Sequence, residues 1–259
     1  MEEVEYKLEH RVASITINRA DDENRMTPAV LERIGAIAGE LAKDTETQAV
    51  VISGSGSAFF SAGMLHPKVR ATLTKEQILA TVRLANAVFD RIEALPMITI
   101  AALNGVTRAG AAELTLACDM RIAASHATWG VPEARWGGFP GAGGPVRLPG
   151  IVGRARALEI ICSGRELNAA EMERLGLTLE THEPARLLPA VHQLAARIAA
   201  CGPLAIRGAK RIVNLRAASG FTAARELSDA LRHALEWTHD MQEGAAANLE
   251  GRTPRFKGN

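Results

Sequence analysis

Apolar and polar residues alternate at the start of the chain. Residues 4–8 place an apolar side chain at every second position between charged residues, and residues 13–17 do the same between polar ones. A period of two residues is typical of a strand with one face in a core. The short polar run from Glu9 to Arg11 separates the two stretches, so the sequence predicts a two-stranded hairpin.

Helical spacing follows, with clear start signals. Thr27 followed by Pro28 predicts a helix start, because threonine can cap free N–H groups and proline suits the first turn. Thr74 and Gln77 have the spacing of a capping box, which predicts a second helix that ends before Pro96. Both helices carry an apolar stripe suited to packing against a core.

Short runs that are apolar on both faces come after these helices. Residues 49–52 and 97–103 predict strands covered on both sides, as in a parallel sheet. Residues 111–118 predict a short apolar helix with one carboxylate, Glu113, and residues 119–124 predict another strand. The order strand, loop, helix, strand predicts an α/β fold with parallel pairing.

Glycine and proline interrupt the pattern in three places. Residues 53–63 and 104–110 predict turns, in which backbone conformation matters more than side chains. Residues 125–150 predict loops, which carry Glu133 and the glycine cluster at 141–144.

The end of the chain is dominated by amphipathic helices. Asn168 and Glu171 form a further capping box, and helical stripes fill most of the sequence that follows. We therefore predict a core over residues 1–195 and a helical region over residues 196–259.

The charge balance limits the class of partner. Among 259 residues, 30 Lys and Arg against 29 Asp and Glu leave a net charge of +1, which argues against nucleic acid or an anionic membrane. The histidines lack metal-ligand spacing, so we expect no metal site. The cysteines show no paired spacing, which favours a reducing compartment, and no run is long and apolar enough to span a bilayer. We expect a soluble, cytoplasmic protein.

No common catalytic motif is present in the sequence. It lacks GxSxG, HExxH and GxxxxGK[ST], which excludes the sites that these motifs define. Taken singly, Glu113 is a helix-start carboxylate, Glu133 is a solvated loop residue, and the segments around Ala62 and Gly110 are ordinary turns.

Five segments are more informative when they are considered together. They are Asn18-Arg19 with Asn24-Arg25-Met26, Ser57 to Gly63, Asn104 to Asp119, Val131 to Gly144, and the ending from Gln242 to Phe256. In order and spacing they resemble the enoyl-CoA hydratase/isomerase (crotonase) family over nearly the whole chain. The resemblance implies a spiral core of ββα units, with C-terminal helices that assemble a trimer or a dimer of trimers.

The resemblance also implies a catalytic site. Two backbone N–H groups, those of Ala62 and Gly110, would stabilise negative charge on a thioester oxygen. Glu113 and Glu133, 20 residues apart, match the two acid–base positions of the family's hydratases. In the implied mechanism Glu113 orients and deprotonates water, and Glu133 protonates the α carbon of a 2-enoyl-CoA thioester.

The chain departs from the family pattern around this site. Leu65 follows Met64 where an aspartate is usual, and the usual glycine triplet has alanine at positions 109 and 111. Trp136 stands where an aliphatic residue is usual and would shorten the acyl pocket, unless it packs in the core or against another subunit. Met64, Trp136 and Gly141 are therefore our candidate substrate-binding residues, and we expect a short or branched acyl chain.

The same resemblance suggests how the coenzyme A part of the substrate is held. Arg25, Phe256 and Lys257 are the candidate contacts, and CoA would enter as part of the substrate, with no separate cofactor. The predicted activity is hydration of a 2-enoyl-CoA to the 3-hydroxyacyl-CoA. Alternatives are isomerisation, decarboxylation or hydrolysis through the same oxyanion hole, or a non-catalytic acyl-CoA-binding or RNA-binding relative.

Overall fold

The computed structural model describes residues 2–217 and 221–255 of the chain. Phe256 and Lys257, two candidate contacts for coenzyme A, lie outside the described residues. The strands are β1 (Val4–Glu9), β2 (Val12–Ile17), β3 (Ala49–Gly54), β4 (Phe59–Ser61), β5 (Ile98–Leu103), β6 (Val106–Arg108), β7 (Met120–Ala124), β8 (Thr128–Gly130), β9 (Glu166–Asn168) and β10 (Thr181–His182).

The α-helices form the other layers. They are α1 (Pro28–Leu41), α2 (Pro67–Arg70), α3 (Lys75–Glu93), α4 (Gly110–Leu116), α5 (Gly144–Val152), α6 (Arg154–Ser163), α7 (Ala169–Arg174), α8 (Pro184–Ala199), α9 (Pro203–Ala217), α10 (Phe221–Glu236) and α11 (His239–Glu250). Short 3-10 helices cover Ala20–Asp22 and Pro132–Trp136.

Within the described residues the strands form two sheets. The larger sheet has the order β1-β2-β3-β5-β7-β10, in which β1 and β2 are the predicted antiparallel hairpin and the other neighbours are parallel. The smaller sheet has the order β4-β6-β8-β9. Its first three strands are parallel, and β9 closes it antiparallel to β8.

The chain alternates between the two sheets, and this alternation produces the spiral. A strand of the larger sheet is followed by a short strand of the smaller one and then by helical structure: β3, β4 and α3, then β5, β6 and α4. Repetition of this ββα unit confirms the predicted α/β spiral. Each turn of the spiral places the loop that follows a short strand at the same end of the smaller sheet.

The helices α1 and α3 begin at the capping residues that the sequence predicts. The Thr27 side chain accepts a hydrogen bond from the N–H of Val30, and the Thr74–Gln77 capping box has both of its bonds. Ile34 and Phe89 are fully buried on the facing sides of α1 and α3, which pack together. Burial of such a side chain contributes roughly 1.5–3 kcal/mol.

All three glycine-rich segments contain more regular structure than predicted. The expected turns 53–63 and 104–110 include β4 and β6, and the expected loops of 125–150 include β8, a 3-10 helix and α5. A strand of three residues is too short to show a period of two, so its pattern is invisible in the sequence. These short elements place Glu133 on the 3-10 helix at Pro132–Trp136.

The C-terminal helices return over the core. α10 packs on α3 and α5, and α11 packs on α2 and on the 3-10 helix at Pro132–Trp136. α8 packs on β3, β5 and β7, and the predicted boundary at residue 195 falls inside this helix. The division at residue 195 stays a prediction.

Candidate active site

Glu113 lies in the first turn of α4 and is almost fully buried. Its Oε1 accepts two hydrogen bonds of 2.8 Å, from the N–H groups of Ala142 and Gly144. Backbone donors of this kind favour the ionised carboxylate. The loop before α5 therefore holds Glu113 in one orientation and favours its charged form.

Glu133 lies on the 3-10 helix and faces the same cavity as Glu113. Its Oε2 is buried, and no side chain or backbone group among the described residues bonds to it. Burial favours the neutral form of this carboxyl, because the charged form loses its hydration and one oxygen gains no donor in return.

The surroundings of Glu113 and Glu133 change the pKa values of the two carboxyls to different extents. Burial raises the pKa of both groups above the ordinary value. The charge of Glu113 raises the pKa of Glu133 further, whereas the amides of Gly144 and Ala142 partly offset the rise in the pKa of Glu113. Glu113 therefore ionises first and Glu133 keeps its proton to higher pH, as an acid beside a base requires.

The two carboxyls share a narrow cavity of about 40 Å³. The predicted site residues Met64, Gly110, Trp136 and Gly141 also line it. Trp136 presents its ring at 71° to that of His66, with 6.2 Å between the ring centres. The structure thus brings together predicted site residues from three segments that are far apart in the sequence.

The N–H of Gly110 is available beside this cavity. Gly110 is the first residue of α4, and the first N–H groups of a helix have no carbonyl partner within it. The neighbouring segment approaches closely, since a Cβ placed on Gly63 would lie 3.2 Å from the nitrogen of Gly110. Gly63 has a φ of +90°, which suits glycine.

The second expected donor, the N–H of Ala62, needs correction. It donates to the carbonyl oxygen of Glu23 at 3.0 Å, and Ala62 is not among the described residues that line the cavity. Met64, two residues on, does line the cavity, and within the described part of the chain its N–H has no acceptor. The turn at Gly63 leaves the N–H of Met64 exposed. Almost every residue carries a backbone N–H, so the sequence does not show which of them is free.

Comparison with known proteins places this geometry in a family. The family model described as enoyl-CoA hydratase/isomerase matches residues 7–259. The chain belongs to this family.

Similar proteins support that assignment over most or all of the chain. A crotonyl-CoA hydratase of Syntrophomonas wolfei is 33% identical over 98% of this chain and 98% of its own. A short-chain-enoyl-CoA hydratase of Clostridium acetobutylicum is 34% identical over 80% of this chain and 78% of its own. A solved enoyl-CoA hydratase from Bacillus anthracis superimposes with a TM-score of 0.82 at 32% identity, covering 100% of both chains.

In this enoyl-CoA hydratase/isomerase family member, a wide cleft leads to the narrow cavity. The cleft holds about 710 Å³ and shares Met64 and Leu65 with the cavity. Arg25 lies on its rim and is paired with Asp22. The hydrogen bond from Arg25 is the main reason that the pKa of Asp22 is lowered.

Sequence reasoning missed three charged residues of the site. Arg70 and Arg232 line the cavity, and Glu236 bonds to both. Arg232 and Glu236 are four residues apart on α10, a spacing usual for an exposed helix pair. Nothing in that spacing indicates that the pair faces inward.

Two features are absent from the described residues. No helix in that part of the chain is both long and apolar enough to cross a bilayer. No three His, Cys, Asp or Glu side chains there come together as ligands for a metal ion.

Proposed function

We propose that this protein hydrates a 2-enoyl-CoA thioester to the 3-hydroxyacyl-CoA. The observation that carries the proposal is the presence of Glu113 and Glu133 in one cavity. Two amides bond to Glu113 and partly offset the rise in its pKa, whereas burial and the charge of Glu113 both raise the pKa of Glu133. The spiral fold and membership of the family support the same reaction class.

The reaction begins with polarisation of the substrate. The thioester oxygen accepts hydrogen bonds from the N–H groups of Gly110 and Met64, so negative charge can develop on that oxygen. Gly110 adds the positive end of the α4 dipole to this stabilisation. The β carbon becomes electrophilic because the double bond is conjugated with the thioester.

Proton transfers by the two carboxyls complete the addition. Ionised Glu113 takes a proton from water while the water oxygen forms a bond to the β carbon. The π electrons move to the thioester oxygen, giving an enolate. Collapse of the enolate draws the proton of Glu133 to the α carbon. The pair ends with its protons exchanged, and proton transfer between the carboxyls or through solvent restores the starting state.

Short acyl chains are the proposed substrates. The cavity beyond the carboxyls is small and Trp136 forms part of its wall. Two relatives carry the names crotonyl-CoA hydratase and short-chain-enoyl-CoA hydratase, which supports the same size class. The wider cleft with Arg25 on its rim would take the coenzyme A part of the substrate, and no further cofactor is required.

An ultraviolet assay of crotonyl-CoA tests the proposal. Purified protein should remove the absorbance of the conjugated thioester, and Glu113→Gln and Glu133→Gln should each lower turnover by at least about 10²-fold. Wild-type turnover in both variants would reject the assignment. Conversion of a 3-enoyl-CoA without hydration would instead favour the isomerase alternative.

We further propose that the protein assembles as a trimer or a dimer of trimers. α9 exposes three large apolar side chains, Leu204, Ile212 and Val213, which are 83%, 69% and 66% exposed in the single chain. Exposed apolar side chains on one element favour a protein interface. Light scattering on the purified protein should give three or six times the chain mass, and a monomer would contradict the proposal.

A further inference from the structure

A buried cluster of three charged side chains forms one wall of the cavity. Arg70 Nη2 lies 2.8 and 3.0 Å from the two carboxylate oxygens of Glu236, and Arg232 Nη1 lies 2.7 Å from one of them. The side chains of Arg70, Arg232 and Glu236 are only 8%, 6% and 3% exposed. All three are therefore removed from bulk water.

This cluster has one positive charge in excess. Two guanidinium groups share the single carboxylate of Glu236, and buried charges are stable only when they are paired. Burial, followed by the charge of Arg232, accounts for the lowered pKa of Arg70 against the opposing effect of Glu236. The charge of Arg232 also lowers the pKa of Glu113 and of Glu133 across the cavity, so ionised Glu113 balances part of this excess. Arg70 is the guanidinium that remains available to a second anionic group.

The cluster also has a free hydrogen-bond donor. Arg70 Nε is buried, and no acceptor for it exists among the described residues. A guanidinium presents its N–H groups in a fixed fork that matches a carboxylate. An unpaired donor in a buried side chain that lines a substrate cavity points to a ligand that supplies the acceptor.

The cluster lies on the cavity that would hold the acyl chain. Arg70 and Arg232 line the same cavity as Glu113 and Glu133. Arg232 packs closely on Gly141, because a Cβ added to Gly141 would lie 2.6 Å from the Cδ of Arg232. A purely apolar acyl chain would leave the buried Nε of Arg70 without an acceptor.

We propose that Arg70 and Arg232 bind a carboxylate at the end of the acyl chain, so that the preferred substrate is a short 2-enoyl-CoA with a terminal carboxylate. This inference rests on the proposed hydratase function. Glu236 holds the two guanidinium groups in position and leaves one positive charge for the substrate. The two acids at the reacting carbons and the two arginines at the far end would together fix the orientation of the chain.

Steady-state kinetics on matched substrates test this inference. The substrates are 4-carboxybut-2-enoyl-CoA and its uncharged partner of the same shape, 4-carbamoylbut-2-enoyl-CoA, with crotonyl-CoA as the reference for basal hydration. We expect kcat/KM for the carboxylate to exceed that for the amide by about 10- to 100-fold, the range that a charged hydrogen bond provides. Equal values would overturn the inference.

Variants assign the preference to the cluster. Arg70→Met should reduce the carboxylate-to-amide ratio to near one, while Glu236 stays paired with Arg232 in this variant. Arg70→Lys keeps the charge but loses the fork, and should retain part of the ratio. Arg225→Met removes an arginine on the same helix that pairs with Asp90, and should keep the full ratio. An unchanged ratio in Arg70→Met would overturn the inference.

A binding measurement separates this inference from the proposed function. Calorimetry with the saturated analogues 4-carboxybutanoyl-CoA and 4-carbamoylbutanoyl-CoA needs no turnover, and wild-type protein should prefer the carboxylate by the same 10- to 100-fold. Hydration of crotonyl-CoA with no preference in either measurement would leave the hydratase function standing and reject the carboxylate site. No hydration of any thioester would reject the hydratase function itself.

Discussion

Gly110 and Glu113 lie three residues apart on α4 and line the same cavity. Residues at this spacing share one face of a helix, so a single rigid element orients a free N–H group and a carboxylate toward one cavity. The distance between the Gly110 amide and the Glu113 carboxylate is therefore set by the geometry of the helix. This arrangement makes the backbone around residues 109–110 as important as the side chains.

The first prediction concerns pH. Protonation of Glu113 at low pH removes the base, and ionisation of Glu133 at high pH removes the acid, so kcat/KM for crotonyl-CoA should follow a bell-shaped curve. Because burial raises the pKa of both groups, both limbs should lie above the ordinary carboxyl range. Activity that stays constant down to pH 4.5, the unperturbed value for a glutamate, would contradict this electrostatic description.

The second prediction concerns strain at Ala109. This residue precedes α4 with φ 54° and ψ −129°, a conformation that favours glycine. Ala109→Gly should therefore stabilise the protein by about 1 kcal/mol in urea unfolding, since relief of strain outweighs the entropy cost of glycine. As a control, Ala111→Gly, two residues on and within α4, should destabilise it by about 0.5–1 kcal/mol. A loss of stability in Ala109→Gly would show that the conformation is unstrained.

The third prediction concerns the approach of two backbone segments. A Cβ on Gly63 would lie 2.7 Å from the carbonyl oxygen of Arg108, so Gly63→Ala should displace the segment that carries Met64. We expect at least a tenfold loss of kcat/KM, because misplaced oxyanion donors cost about that much or more. Gly56→Ala is a matched control with a similar φ of +74° and its nearest neighbour at 3.9 Å. It should lose stability alone, and an equal loss of activity in both variants would contradict the role of this approach.

The fourth prediction concerns acyl chain length. Trp136 lines the cavity, so Trp136→Ala should enlarge it and raise the ratio of kcat/KM for decenoyl-CoA to that for crotonyl-CoA by about tenfold, as a few added methylene contacts allow. Trp237→Ala, which removes a half-exposed indole elsewhere, should leave the ratio unchanged. An unaltered ratio in Trp136→Ala would favour the alternative that this side chain serves packing or subunit contact.

The sequence was informative where periodicity and caps extend over many residues. The hairpin of β1 and β2 and the caps at Thr27 and Thr74 follow directly from local pattern. β6 and β8 were missed because three residues cannot display a period, and their formation depends on pairing with distant strands.

The sequence indicated some residues of the candidate site and missed others. Glu113 and Glu133 stand out because carboxylates in apolar or glycine-rich segments are unusual, and the family resemblance linked them. The choice of Ala62 as a donor failed because every residue other than proline carries the same amide, and only the fold decides which amide is free. Arg70 and Arg232 were missed because their meeting depends on how α10 docks, which local pattern does not encode.

The return of α10 and α11 over the spiral has a consequence for biosynthesis. The carboxyl pair comes from residues 113 and 133, whereas Arg232 and Met241 line the same cavity from the last two helices. The wall of the cavity is therefore complete only when the last two helices of the chain have been synthesised and have docked.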